Sequence, residues 1–189
     1  MTATHLMSCP GGTVALPMRF RAAQPGDLSV VRALVESAYR GETSRRGWTT
    51  EADLLDGQRI DLAGLQSLLD RPHSRVVLAE ADGRLIACAH IERLATAGYF
   101  GMFAVDPTRQ AGGIGRAVLA ECERQLFDEF DCDRIEMTVL WQRQELIDWY
   151  RRRGYETTGE ERPFPKHDPR FGLPRRDDLY FVVLAKVRA

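Results

Sequence analysis

Val105-Asp106-Pro107-Thr108-Arg109-Gln110-Ala111-Gly112-Gly113-Ile114-Gly115-Arg116 is the stretch on which the fold turns. Residues 99–105, before it, are mostly apolar and read as a strand. Asp106-Pro107 stops that strand, because proline has no N–H to give the ladder. Beyond the glycines, Ala117, Val118, Leu119, Ala120, Cys122 and Leu126 read as a helix. A strand therefore runs into a glycine loop and the loop into a helix. Glycines let backbone N–H groups approach a ligand closely, and a helix N-terminus favours each negative charge by about 0.3–1 kcal/mol. The segment is a candidate cradle for a pyrophosphate, with a plain glycine-rich turn as the alternative.

Two phosphate loops can be set aside. A P-loop needs Gly-Lys-Ser/Thr, and the chain's two lysines, Lys166 and Lys186, are far away. The dinucleotide fingerprint needs a parallel βαβ unit. Here an antiparallel meander leads into the loop. Residues 75–80 and 85–93 read as strands joined at Asp82-Gly83, a pair that tolerates the positive φ of a type I′ turn. A second turn at Thr96-Ala97-Gly98 leads into the strand 99–105.

Further out, residues 19–22 read as a strand. Pro25-Gly26-Asp27 opens a helix with Leu28, Val31, Leu34, Val35 and Ala38 on one face, and Gly41 is a plausible stop. Thr50 and Asp53 suggest a capping box for a second short helix at Glu51. Asp61 suggests the cap of a third. Downstream come a strand at 134–140, a helix at 144–153 ending at Gly154, and strands at 155–160 and 179–186. The order predicts an α/β fold: a mixed central sheet of about seven strands flanked by helices, with the meander before the loop. Residues 1–17 show no period and read as an irregular extension; 18–189 read as a single domain.

Composition narrows the function. The chain has 189 residues, 44% hydrophobic and 28% charged, with a net charge of -1. Such a balance gives no general reason to expect nucleic acid or an anionic membrane as partner. The longest apolar run, 179–185, is too short to span a bilayer. No basic, then apolar, secretory leader opens the chain, so a cytoplasmic setting is expected. Cys9, Cys88, Cys122 and Cys132 have no metal-ligand spacing, so no metal is expected. Only two of the 26 basic residues are lysine, which reads as compositional bias.

A second segment completes the pattern. Gln144 to Gly154 is a helix stopped by glycine, with Leu146, Ile147, Trp149 and Tyr150 able to face the sheet, and Tyr155 follows. Gln110-x-x-Gly113-x-Gly115 after Val105-x-Pro107 resembles the acetyl-CoA pyrophosphate loop of the GNAT N-acetyltransferase superfamily. Tyr150 with Gly154-Tyr155 resembles that superfamily's second signature. The resemblance runs from residue 19 to about 187. It departs at Gln142-Arg143-Gln144, where the family often has an asparagine.

The resemblance implies acetyl transfer from acetyl-CoA, as co-substrate, directly to an amine acceptor, and the mixed charge of the acceptor region points to a small molecule. It places Phe103, Ala104 and Val105 along the pantetheine arm. Gln110, Ala111, Gly112, Gly113, Ile114, Gly115 and Arg116 would surround the pyrophosphate. Tyr150 would give the departing thiolate its proton. Strand alternation puts Cys88, His90 and Glu92 on one face, so Glu92 is a candidate base or acceptor contact and His90 a weaker one. Tyr39, Trp48 and Glu51 are candidate acceptor contacts. Trp48 and carboxylates could hold an amine; arginines could instead hold a substrate carboxylate. A non-catalytic acyl-CoA-binding module, or a transferase using a longer acyl chain or a hydroxyl acceptor, fits the same residues. The apolar last strand could be a sheet centre or the edge of a homodimer.

Overall fold

The computed structural model describes residues 18–110, 112–166, 168 and 172–188. The first 17 residues and Ala111 lie outside the described residues. Strand β1 (Arg19–Ala22) leads through a 3-10 turn to α1 (Leu28–Tyr39) and α2 (Gly41–Ser44). Then follow β2 (Leu55–Asp56), α3 (Leu62–Asp70), β3 (Ser74–Ala81), β4 (Arg84–Arg93) and β5 (Gly98–Val105). After the glycine loop come α4 (Ile114–Arg124), β6 (Arg134–Leu140), α5 (Gln144–Arg151), β7 (Glu156–Pro163), β8 (Leu173–Pro174) and β9 (Tyr180–Val187). A mixed sheet of seven strands forms, as the sequence predicts, and its order is β1-β3-β4-β5-β6-β9-β7, while β2 and β8 make a separate ribbon.

The helices take the faces that their apolar spacing dictates. Helix α1 buries Val31, Leu34, Val35 and Ala38 against β3, β4 and β5, with α3 beside it. Each such side chain contributes roughly 1.5–3 kcal/mol when fully buried. Helices α4 and α5 cover the other face through Val118, Leu119, Ile147 and Tyr150. Asp61 caps α3, its carboxylate accepting from the Gly64 N–H at 2.6 Å. Asp82 and Gly83 both have positive φ, as a type I′ turn requires.

The helix expected at Glu51 does not form; residues 51–54 are turns. Thr50 Oγ1 caps only locally, accepting from the Ala52 N–H at 3.0 Å, and Asp53 pairs with Arg45. The Glu51 carboxylate is drawn inward to two arginines, described below. Nor does Gly41 end α1: Arg40 is already extended, and Gly41 begins the next helical turn.

Two features of β5 position the site. It pairs in parallel with β6 only at Gly98↔Ile135 and Tyr99↔Glu136. Beyond that, β6 stays paired with β9 up to Leu140↔Phe181, and β5 stays paired with β4 up to Val105↔Ala87. The two strands splay, leaving the backbone of 100–105 unpaired on that side. A bulge lies on the other side. His90 faces Gly101 and Cys88 faces Ala104, so β5 carries one extra residue, and Met102 has φ 45. Phe100 therefore packs on the α4 face but Met102 and Ala104 pack on the α1 face. Phe103 and Val105 are returned to the side of α4 and α5.

Both lysines are engaged. Lys186 Nζ lies 2.8 Å from Glu123 Oε2, and Lys166 Nζ donates to the Asp177 carbonyl.

Candidate active site

Where β5 leaves β6, a cavity of about 350 Å³ opens between the glycine loop and α5. Val105, Gln110, Gly113, Gly115 and Arg116 line the loop side. Gly113 caps α4 in the left-handed region, φ 79. Gly115 is needed for close approach: a Cβ there would stand 3.3 Å from the Phe103 ring. Trp48 forms part of the wall, its ring 6.4 Å from that of Trp149. The Trp48 N–H donates to Gln110 Oε1, which ties the 45–50 segment to the loop.

This cavity is rimmed by positive charge. Arg116, Arg152 and Arg153 line it, and none has an ion-pair partner among the described residues. The Arg153 guanidinium stacks 3.5 Å from the Trp149 ring centroid, and its Nε is buried without a partner. Burial, then Arg152 and Arg116, push its pKa down. Three guanidiniums crowded without a counter-charge, beside glycines at a helix N-terminus, fit a polyanionic ligand.

A smaller cavity of about 180 Å³ lies between β5 and β6, lined by Glu51, Arg59, Tyr99 and Thr138 among others. The two cavities share Tyr39, Phe103, Arg143, Leu146 and Tyr150 as walls. Tyr39 donates its hydroxyl to the Phe103 carbonyl at 2.8 Å, and burial pushes its pKa up to about 12. Glu51 holds Arg40 at 2.8 Å through one oxygen and Arg143 at 2.9 Å through the other. Burial pushes the Glu51 carboxyl up, but Arg143, Arg59 and Arg40 outweigh it and hold it below the usual range. Arg143 also reaches Thr49 Oγ1 at 3.2 Å.

Tyr150 stands where the cavities meet. It is 4% exposed and edge-on to Trp149, Phe100 and Tyr155. The helix spacing of Leu146, Ile147 and Tyr150 turns it inward, and Gly154, with φ 87, ends the turn after α5. Burial is the main cause raising its pKa, so the phenol keeps its proton at neutral pH.

The other expected residues fall as follows. Phe103, Val105, Gln110, Gly113, Gly115 and Arg116 line the larger cavity. Trp48 joins that side, Glu51 joins the smaller cavity, and Tyr39 borders both. The Ala104 and Ile114 side chains turn into the core, leaving only their backbones to the site. Gly112 has φ 81 in the loop but lines neither cavity. Ala111 lies outside the described residues.

Glu92 is not brought to the site. It lines neither cavity and pairs with Arg71 at 3.2 Å, with His90 Nε2 at 3.6 Å. The alternation places it on the correct face, but at the far end of β4, opposite Tyr99. His90 is buried against Ser74 Oγ at 2.9 Å. Residues that sequence reasoning passed over are Arg59, Arg143, Arg152 and Arg153. Their signal was the arginine excess, read there as bias.

His90 gives a pH prediction. Burial and Arg71 push its pKa down to about 4, against about 6.5 in an unfolded chain. As pH falls below 6.5 the unfolded chain takes up a proton that the folded one refuses. Stability is therefore complete above that value and is lost on the way to pH 4, by about 2 kcal/mol at pH 5. Urea unfolding at pH 7 and pH 5 measures it. His90→Gln should remove that share of the slope; an unchanged slope would show that other groups cause it.

No group of His, Cys, Asp and Glu suited to a metal occurs among the described residues, and no helix there is long and apolar enough to cross a membrane. No curated protein sequence matches the chain. Its fold is similar to that of a ribosomal-protein-alanine N-acetyltransferase from Brucella melitensis, 18% identical, TM-score 0.66, covering 90% of this chain and 99% of that one. It is also similar to a spermidine N-acetyltransferase mutant from Vibrio cholerae, 13% identical, TM-score 0.64, covering 90% and 93%. A putative streptothricin acetyltransferase from Bacillus anthracis, in complex with acetyl coenzyme A, is 12% identical with TM-score 0.54, covering 66% and 68%. The model of the acetyltransferase (GNAT) family matches residues 31–155. With its sheet splayed beside a glycine loop, this chain belongs to the GNAT acetyltransferase family.

Proposed function

We propose that the protein transfers an acetyl group from acetyl-CoA directly to the amine of a small acceptor. The observation that carries this reading is Tyr150, a protonated phenol shared by an arginine-rimmed cavity and a smaller one. The larger cavity suits the cofactor's phosphates, with Arg116, Arg152 and Arg153 around them and the backbone of Gly113 to Gly115 beneath. The pantetheine arm would lie along the unpaired edge of β5 at Phe103 to Val105. A neighbour of this fold binds acetyl coenzyme A, and others act on spermidine or a ribosomal protein's alanine.

In the reaction the amine nitrogen bonds to the acetyl carbon, the carbon–sulfur bond breaks, and Tyr150 protonates the sulfur. The amine must first lose a proton, which costs about 4–5 kcal/mol for a lysine-like amine at pH 7. The apolar lining of the smaller cavity, with Phe100, Met137 and Leu140, desolvates the amine, which disfavours its charged form and so lowers that cost. With Glu92 elsewhere, the amine's activation falls to this desolvation rather than to Glu92.

Isothermal titration with acetyl-CoA, desulfo-CoA and ATP tests the cofactor. Both CoA compounds should bind and ATP should not. Gly115→Leu places a side chain against the Phe103 ring and should weaken acetyl-CoA binding by about tenfold or more, about 1.4 kcal/mol. Unaltered affinity in a folded variant would refute the assigned phosphate loop.

A further inference from the structure

The charged groups of the smaller cavity are Glu51, Arg59 and Arg143. Two of them are already committed. Glu51 spends one oxygen on Arg40 and the other on Arg143, while Arg143 divides its donors between Glu51 and Thr49. Arg59 is different. Its guanidinium lies 5.1 Å from the Tyr39 ring centroid and forms no ion pair or hydrogen bond among the described residues. Those residues include every aspartate and glutamate of the chain. The nearby Glu36 accepts instead from the backbone N–H groups of Arg59 and Ile60, at 2.6 and 3.0 Å, which fixes the Arg59 backbone.

Glu51 lies close enough to act on it as a counter-charge, but the Arg59 guanidinium bonds no acceptor, so its five donors are open to a ligand in the cavity. Its planar fork matches a carboxylate, which it can bind through two parallel hydrogen bonds. It also repels cations. We propose that Arg59 is the acceptor-recognising residue of this enzyme and binds a carboxylate on the acceptor. The substrate is thus an amine that also carries a carboxylate, of the amino-acid class, and not a polyamine. This rests on the acetyl transfer proposed above. Tyr150 and Arg59 line the same cavity, so the amine can face the phenol while the carboxylate is held at Arg59.

The test uses the full chain with acetyl-CoA and follows thiol release. The acceptors are the free amino acids, their α-amides and spermidine. The best acceptor should be a free acid, with kcat/KM about tenfold or more above its amide and above spermidine. Arg59→Gln should cut kcat/KM for that acid by about twentyfold, chiefly through KM, and should change the amide little. Arg59→Lys should recover part of the loss, and acetyl-CoA affinity should hold in both variants. Three results would overturn the proposal: amides or spermidine used as well as acids, an equal loss on acid and amide in Arg59→Gln, or wild-type enzyme that binds acetyl-CoA yet acetylates nothing in the panel. A wild-type chain that does not bind acetyl-CoA would refute the proposed acetyl transfer instead.

Discussion

Tyr150→Phe should lower kcat by about a hundredfold or more while acetyl-CoA affinity stays within about twofold. The ring makes the packing contacts with Phe100, Trp149 and Tyr155, and phenylalanine keeps them. Only the hydroxyl is lost, and no protein group accepts its hydrogen bond among the described residues. Folding should therefore be nearly unchanged, and the loss should appear in the chemical step. Because burial holds the pKa above the usual tyrosine value, the acid stays loaded throughout the neutral range. Turnover with acetyl-CoA in the variant, beside calorimetry, separates the two effects. Full activity would remove Tyr150 from the chemistry.

Glu51→Ala should produce the largest stability loss. The carboxylate is buried between Arg40 and Arg143, whose side chains are 8% and 11% exposed. Removing it takes away the one carboxylate that Arg40 and Arg143 both bond. Breaking a buried pair in this way commonly costs about 3–5 kcal/mol. For a chain of this size that corresponds to a fall in Tm of roughly 10 °C. Thermal unfolding at low and high salt measures it, and Glu51→Gln should be nearly as damaging because it too removes the charge. A fall below about 2 °C would mean that the arginines find other partners.

These two residues show what the sequence made legible. Tyr150 stands on a short helix that its spacing and Gly154 announce, so its inward face could be read directly. The strand, glycine loop and helix around Gly113, the Asp82-Gly83 hairpin and the Asp61 cap rest equally on local chemistry. Glu51 was read as the start of a helix because Thr50 and Asp53 look like a cap, and the pull of Arg40 and Arg143 overrode that local preference. Glu92 shows a different limit. Alternation tells which face a side chain takes, but not how far along the strand the sheet splays. The bulge at Met102 hid the orientation of Phe103, since one extra residue reverses the face of everything after it. Arg59 and Arg143 meet across one tyrosine ring though 84 positions separate them in the chain, and no periodicity signals such a meeting.

The two tethered lysines have a consequence of their own. An acetyl thioester acylates exposed primary amines slowly without any catalyst, and a guanidinium, which keeps its proton, is inert to it. This chain carries nearly all its positive charge on arginine, and its two lysine amines are occupied by Glu123 and the Asp177 carbonyl. The three described thiols are buried with raised pKa values, so they are poor nucleophiles as well. A protein built this way can hold a reactive acyl donor while offering it few places to react on the protein's own surface.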